Sequence, residues 1–267
     1  MFANAVIEGL HQLVPDPGTA EVDIIAVPGL TPRSGNVADH AWDTWRTPSG
    51  PSGRLWLRDD LPQHLPDARI FLYEYSATAV YEMGRGAFVR EANDLLEAIS
   101  RNREGVASRP LLFLGHDVGG LLIKQALINA LNDPMYSPIK DATSGLAFFA
   151  TPHRRSGVPL RDRNLAAEVE TTLLETWHEG SIFSDDTVEA QRYGLLDYLI
   201  VSFWGTRDQI VPREDARLGM SAREDVVPLI ADHETICKFG TSPTDQDNLF
   251  KVMHHIKFLY MASLHSW

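Results

Sequence analysis

The sequence predicts an α/β fold with a mainly parallel sheet and helices on both faces. Two observations lead there. Short apolar, β-branched runs alternate with helical patterns along the 267 residues, and continuous apolar runs are what strands buried on both faces require. One of these runs passes without a break into a glycine-flanked turn and then a helical pattern, "LLFLGHDVGGLLIKQALINAL" (111–131).

The elements follow in order. "VDIIAV" (22–27) is the first strand and ends in "PGL". "ARIFLY" (68–73) is the second. "AFVREANDLLEAIS" (87–100) sets Phe88, Ala92, Leu95, Leu96 and Ile99 on one helical face. "PLLFL" (110–114) is the third strand, followed by the helix "LLIKQALINAL". "GLAFFA" (145–150) and "YLIVSFW" (198–204) are the fourth and fifth. "DVVPLI" (225–230) is the sixth, and Pro228 argues for a sheet edge because proline cannot donate to a ladder. A helix over roughly 246–263 closes the chain.

Two stretches interrupt the alternation. Residues 31–56 are rich in Pro, Gly and Ser and carry Trp42, Trp45 and Trp56; residues 155–195 are polar and partly helical. Both leave from carboxyl ends of strands, where ligands bind in open α/β sheets. Both are therefore expected to wall a pocket, with 155–195 as a helical lid on a single domain spanning 1–267.

Composition narrows the function. The net charge of −12 leaves no basic surplus for displacing counterions, which argues against nucleic acid. No apolar run reaches the length of a membrane span. The first residues, "MFANAVIEGLHQLV", lack the basic leader and long apolar segment of a signal peptide. With Cys237 as the one cysteine, no internal disulfide exists, and a reducing, cytoplasmic setting is expected.

The turn at 115–119 has the form of a nucleophile elbow. Glycines two before and two after the central residue let a strained strand-to-helix turn pass close to its neighbours. Gly115 and Gly119 occupy those positions, and Asp117 stands where serine is usual. The competing reading is a tight turn with an aspartate N-cap. A triad takes its acid after a late strand and its histidine after the last. Asp208 follows the fifth strand in "YLIVSFWGTRDQIVP", with Glu214 and Asp215 as rivals; His233 follows the sixth in "ADHETICKF". The oxyanion donors are expected from the amides of Val118 and Leu30. His153, past the fourth strand, is a second-choice site residue, and His116 a packed neighbour of the nucleophile.

Five segments, "VDIIAVPGL", "WLRDDLPQHLPDARIFLYEY", "FLGHDVGGLLIKQALINA", "GLAFFATPHRRSG" and "ADHETICKF", together resemble the serine-active-site-containing, lipase-like α/β-hydrolases. These occur as stand-alone fungal proteins and as N-terminal domains of fungal NACHT-type receptors. The resemblance implies the α/β-hydrolase fold and carries the triad roles to position 117 and His233. Family members usually have His-Gly where this chain has Pro28-Gly29, and serine where it has Asp117. The segment Gly-His-Asp-x-Gly-Gly also resembles the elbow of epoxide hydrolases of this fold, which implies carboxylate attack at a saturated carbon of a small apolar molecule.

Ring opening by that route calls for a proton donor, with Tyr73, Tyr75 and Tyr193 as the candidates. The scheme needs no cofactor and no metal. The other readings are a cyclase or lyase of fungal secondary metabolism on the same scaffold, a catalytically silent binding or signalling module, and an esterase-like variant.

Overall fold

A computed structural model describes residues 9–29, 39–76, 85–153, 198–220 and 222–265. Nine strands are described: β1 (Gly9–Gln12), β2 (Val22–Val27), β3 (Arg46–Thr47), β4 (Arg54–Leu55), β5 (Ala68–Glu74), β6 (Leu111–His116), β7 (Thr143–Phe149), β8 (Leu199–Gly205) and β9 (Glu224–Leu229). Seven helices accompany them: α1 (His40–Asp43), α2 (Trp56–Asp59), α3 (Leu61–His64), α4 (Arg85–Asn102), α5 (Val118–Asn132), α6 (Ser137–Ala142) and α7 (Pro243–Ser263).

The main sheet runs β1-β5-β2-β6-β7-β8-β9. All its pairings are parallel except that of β1 with β5. The six strands expected from sequence are present, with ends moved by no more than two residues. β9 is an edge strand that pairs with β8 alone, so the missing N–H of Pro228 breaks no central ladder.

Alternation along each strand divides the core in two. Ile24 and Ala26 of β2 join Leu112 and Leu114 of β6 on one face, under Leu249, Val252, Ile256 and Leu259 of α7. Ile25 and Val27 join Leu111 and Phe113 on the other, under Phe88, Leu95 and Ile99 of α4 and Leu122 and Ile123 of α5. The α7 start is capped by Ser242, whose hydroxyl accepts the Asp245 amide at 3.1 Å, with Pro243 in the first turn.

Two differences from the sequence reading have physical causes. The described part of 31–56 packs its tryptophans into the core, which the sequence reading did not expect. Trp45 and Trp56 are fully buried and meet Phe149 and Phe239 edge-on or tilted. Burying one such ring contributes on the order of 4–6 kcal/mol, enough to draw a Pro/Gly-rich segment inward. β1 and the β3–β4 pair were not expected; they are short and depend on pairing with other strands, not on an apolar pattern of their own. The lid expected at 155–195 lies outside the described residues.

At the amino ends of the central strands, the fully buried Asp23 takes a bidentate pair from Arg69 at 2.7 and 2.8 Å. It also accepts from Arg103 and Arg109. One carboxylate thus ties the starts of β2 and β5 to the end of α4 and the approach to β6. This network lies across the sheet's length from the elbow.

Candidate active site

β6 ends at His116 and α5 begins at Val118, so Asp117 alone makes the turn. Its backbone sits at φ 49°, ψ −129°, a region that disfavours every L side chain by about 1–3 kcal/mol. The turn persists because it is fastened on both sides. The Asp117 amide donates to the Phe149 carbonyl at 2.9 Å, and the Gly120 amide to the Asp117 carbonyl at 3.1 Å.

The flanking glycines make the room. A Cβ on Gly115 would lie 2.6 Å from the α-carbon of Gly120, and one on Gly119 would lie 2.2 Å from the Pro28 carbonyl oxygen. Both contacts are against backbone, which has little freedom to move aside. Gly29 backs onto the aspartate: a Cβ there would lie 2.7 Å from Asp117 Cβ and 2.9 Å from its Oδ2.

The structure brings three of the expected residues together. His233 Nδ1 lies 2.9 Å from Asp208 Oδ2, and Nε2 lies 3.5 Å from Asp117 Oδ1. Asp208, three residues beyond β8, has a fully buried side chain. Its Oδ1 accepts the Ile210 and Val211 amides at 2.7 and 2.9 Å. Of its rivals, Glu214 pairs with Arg213 and Arg217 at the surface, and the Asp215 carbonyl accepts the His153 amide.

Charge at the site is strongly biased. Burial opposes the charged ring of His233, yet hydrogen bonds and attraction from Asp117 and Asp208 overcome it and raise the ring to about 10. Burial likewise opposes ionisation of Asp117, but His233, with help from the Val118 amide, holds that carboxyl at about 2. His233 and Asp117 thus each favour the charged form of the other.

Against solved structures, the chain has a TM-score of 0.53 with a protein described as an aryl esterase from Burkholderia cenocepacia, at 14% identity, covering 96% of this chain and 94% of that one. A lipase-esterase related protein from Clostridium acetobutylicum gives 0.52 at 9% identity, with 95% and 99% covered. The hydrolase olei00960 from Oleispira antarctica gives 0.50 at 11%, with 95% and 96% covered. The chain has the α/β-hydrolase fold.

Within that fold the curated relatives are distant. The chain is 27% identical over 201 residues to Protein SERAC1 of Mus musculus and of Homo sapiens, covering 68% of this chain and 30% of each relative. It thus spans under a third of the length of the curated relatives it matches. No family model matches the sequence.

The other expected residues of this α/β-hydrolase fold lie as follows. The Tyr73 hydroxyl donates to Glu91, and burial together with that carboxylate pushes its pKa well up. The Tyr75 hydroxyl donates to the Pro28 carbonyl at 3.1 Å. Both hydroxyls thus donate to acceptors other than Asp117. His153 is buried with its ring edge-on to Phe148. Leu30 and Tyr193 lie outside the described residues.

Two histidines have more specific places than sequence suggested. His116 Nε2 donates to the His233 carbonyl at 3.1 Å, and the two rings are 5.3 Å apart. Burial, reinforced by His233, lowers His116 to about 4. The ring is neutral, and its buried Nδ1 has no partner among the described residues. His40, at the start of α1, donates from Nε2 to the Gly29 carbonyl at 3.0 Å. No spacing rule points to His40, because it reaches the site only through the packing of α1.

Proposed function

We propose that this chain is a hydrolase in which Asp117 attacks a saturated carbon of a small apolar molecule, in the manner of an epoxide hydrolase, with His233 and Asp208 as the acid–base pair. The observation that carries the reading is the Asp117 carboxylate itself. It stands on the strained turn, 3.5 Å from His233 Nε2. Attack by a carboxylate leaves an ester on the enzyme. Its hydrolysis needs an activated water and an oxyanion site, roles suited to His233–Asp208 and the elbow amide.

The proton count closes on these groups. In the first step an Asp117 oxygen bonds to the ring carbon, the carbon–oxygen bond breaks, and the alkoxide takes a proton from the His233 imidazolium. This supplies the acid without Tyr73 or Tyr75. Asp117 is then a neutral ester, so His233 has lost one of the two anions that raised its pKa and becomes a base. In the second step His233 takes a proton from water, and hydroxide adds to the ester carbonyl. The tetrahedral species expels the diol alkoxide, which recovers the proton from His233. The Asp117 carboxylic acid then protonates His233 and restores the resting pair.

One observation favours a second reading. The resting charges of Asp117 and His233 satisfy each other without a substrate, as in a silent binding module. Their 3.5 Å separation exceeds the 2.7–2.9 Å of a closed charge-assisted bond, which weighs toward the enzyme. Turnover of styrene oxide in heavy-oxygen water, followed by peptide mass analysis, tests the choice. The hydrolase reading expects label in the Asp117 carboxylate; diol formation with no label there rejects it, and no turnover of any epoxide supports the silent module.

A further inference from the structure

The loop after β2 is held by two side chains that the hydrolytic scheme does not use. Tyr75, just beyond β5, donates to the Pro28 carbonyl at 3.1 Å. His40, opening α1, donates to the next carbonyl, that of Gly29, at 3.0 Å. Gly119 on α5 confines the same segment from a third side, since even one carbon more would collide with the Pro28 carbonyl. The segment so held is the one whose Gly29 backs onto the Asp117 carboxylate.

A planar trans peptide points its N–H opposite to its C=O. The Tyr75 hold on the Pro28 carbonyl therefore sets the direction of the Gly29 N–H, and the His40 hold on the Gly29 carbonyl fixes the other side of the same residue. We propose that His40 and Tyr75 are positioning residues that hold Gly29 so that its amide faces the oxyanion formed when the Asp117 ester is hydrolysed. The catalytic half of this inference rests on the aspartate-nucleophile reading.

The state of His40 fits an anchor. A carbonyl only accepts, so Nε2 must carry the hydrogen. Burial lowers the His40 pKa, with the Gly29 hydrogen bond, Asp117 and Asp43 opposing and Lys238 assisting. The shift favours the neutral ring, and protonation at Nδ1 would leave the Nε2 donor in place.

The test uses His40→Leu, Tyr75→Phe and His40→Gln, the last retaining an N–H donor. Two quantities are read: the ¹⁵N order parameter of the Gly29 amide, and the rates at which styrene oxide forms and then loses its adduct on Asp117. In His40→Leu and Tyr75→Phe, the order parameter should fall from the rigid range near 0.85 toward about 0.6. Adduct loss should slow by about tenfold or more while adduct formation stays unchanged, as expected when an oxyanion donor is misplaced. His40→Gln should restore both. An unchanged order parameter in both donor-less variants overturns the anchoring. A mobile Gly29 with unchanged adduct loss overturns the catalytic half. A mobile Gly29 with no adduct in any variant, wild type included, overturns the hydrolase reading and leaves the anchoring standing.

Discussion

His233 Nδ1 and Asp208 Oδ2 are 2.9 Å apart, and the other oxygen of that carboxylate is bound by two backbone amides. The acid is thereby immobilised before it orients the ring. Asp208→Asn keeps an acceptor for the amides but removes the charge that favours the Nδ1–H form. Turnover of an epoxide probe should fall by about 10²- to 10⁴-fold, with the circular dichroism spectrum unchanged. Wild-type kcat in this variant would remove Asp208 from the mechanism.

On the proposed mechanism, Asp117→Asn removes the charge of the attacking carboxylate at nearly constant volume. Turnover should stop while ligand affinity is retained, as read by kinetics and calorimetry. Asp117→Ser should also abolish epoxide opening, because an ether formed on serine is not readily hydrolysed. Beside His233 and Asp208 it should gain weak cleavage of p-nitrophenyl acetate by Ser–His chemistry. Full epoxide turnover in Asp117→Asn would show that the carboxylate is not the nucleophile.

The paired charges also give stability a pH window. His233 has a folded pKa raised from 6.5 to about 10, so its contribution is complete below 6.5 and is lost as pH rises through 10. Asp117 has a folded pKa lowered from 3.8 to about 2, so its contribution is present above 3.8 and is lost as pH falls through 2. The stability gap between wild type and His233→Ala should be widest at pH 4–6.5 and shrink on either side. Urea midpoints across pH would measure it; a gap that grows from pH 7 to pH 10 would contradict the charged pair.

Gly119→Ala should fail for steric reasons that the helix itself does not impose. The added carbon meets the Pro28 oxygen at 2.2 Å and the Val27 oxygen at 2.6 Å, and both belong to backbone. A loss of about 1–3 kcal/mol is expected, with the elbow displaced and activity gone. Thermal melts showing wild-type stability would mean that β2 can retreat from the helix.

Asp23→Asn removes the anion shared by Arg69, Arg103 and Arg109. Leaving buried guanidinium groups without their counter-charge should cost about 3–5 kcal/mol in urea denaturation. The folded fraction should keep its specific activity, because the network lies at the opposite end of the strands from Asp117.

The order of strands and helices was legible because each buried strand is a continuous apolar run. The places of Asp117, Asp208 and His233 after β6, β8 and β9 were legible because the order of these elements in the chain brings those ends to one edge of the sheet. The core role of Trp45 and Trp56 was not, since their segment has the composition of a surface loop and only the apolar face they meet draws it in. The partners of Tyr73 and Tyr75 were equally hidden. Glu91 and the Pro28 carbonyl are 18 and 47 residues away, and no local pattern links them.

The strain at Asp117 belongs to the main chain: φ 49° burdens any L side chain alike and is met by bonds from Phe149 and Gly120. The turn therefore works as a socket. The backbone bonds that hold it do not depend on which side chain it presents. On the proposed reading, a change of the one presented side chain would exchange alkyl for acyl chemistry without rebuilding the scaffold that presents it.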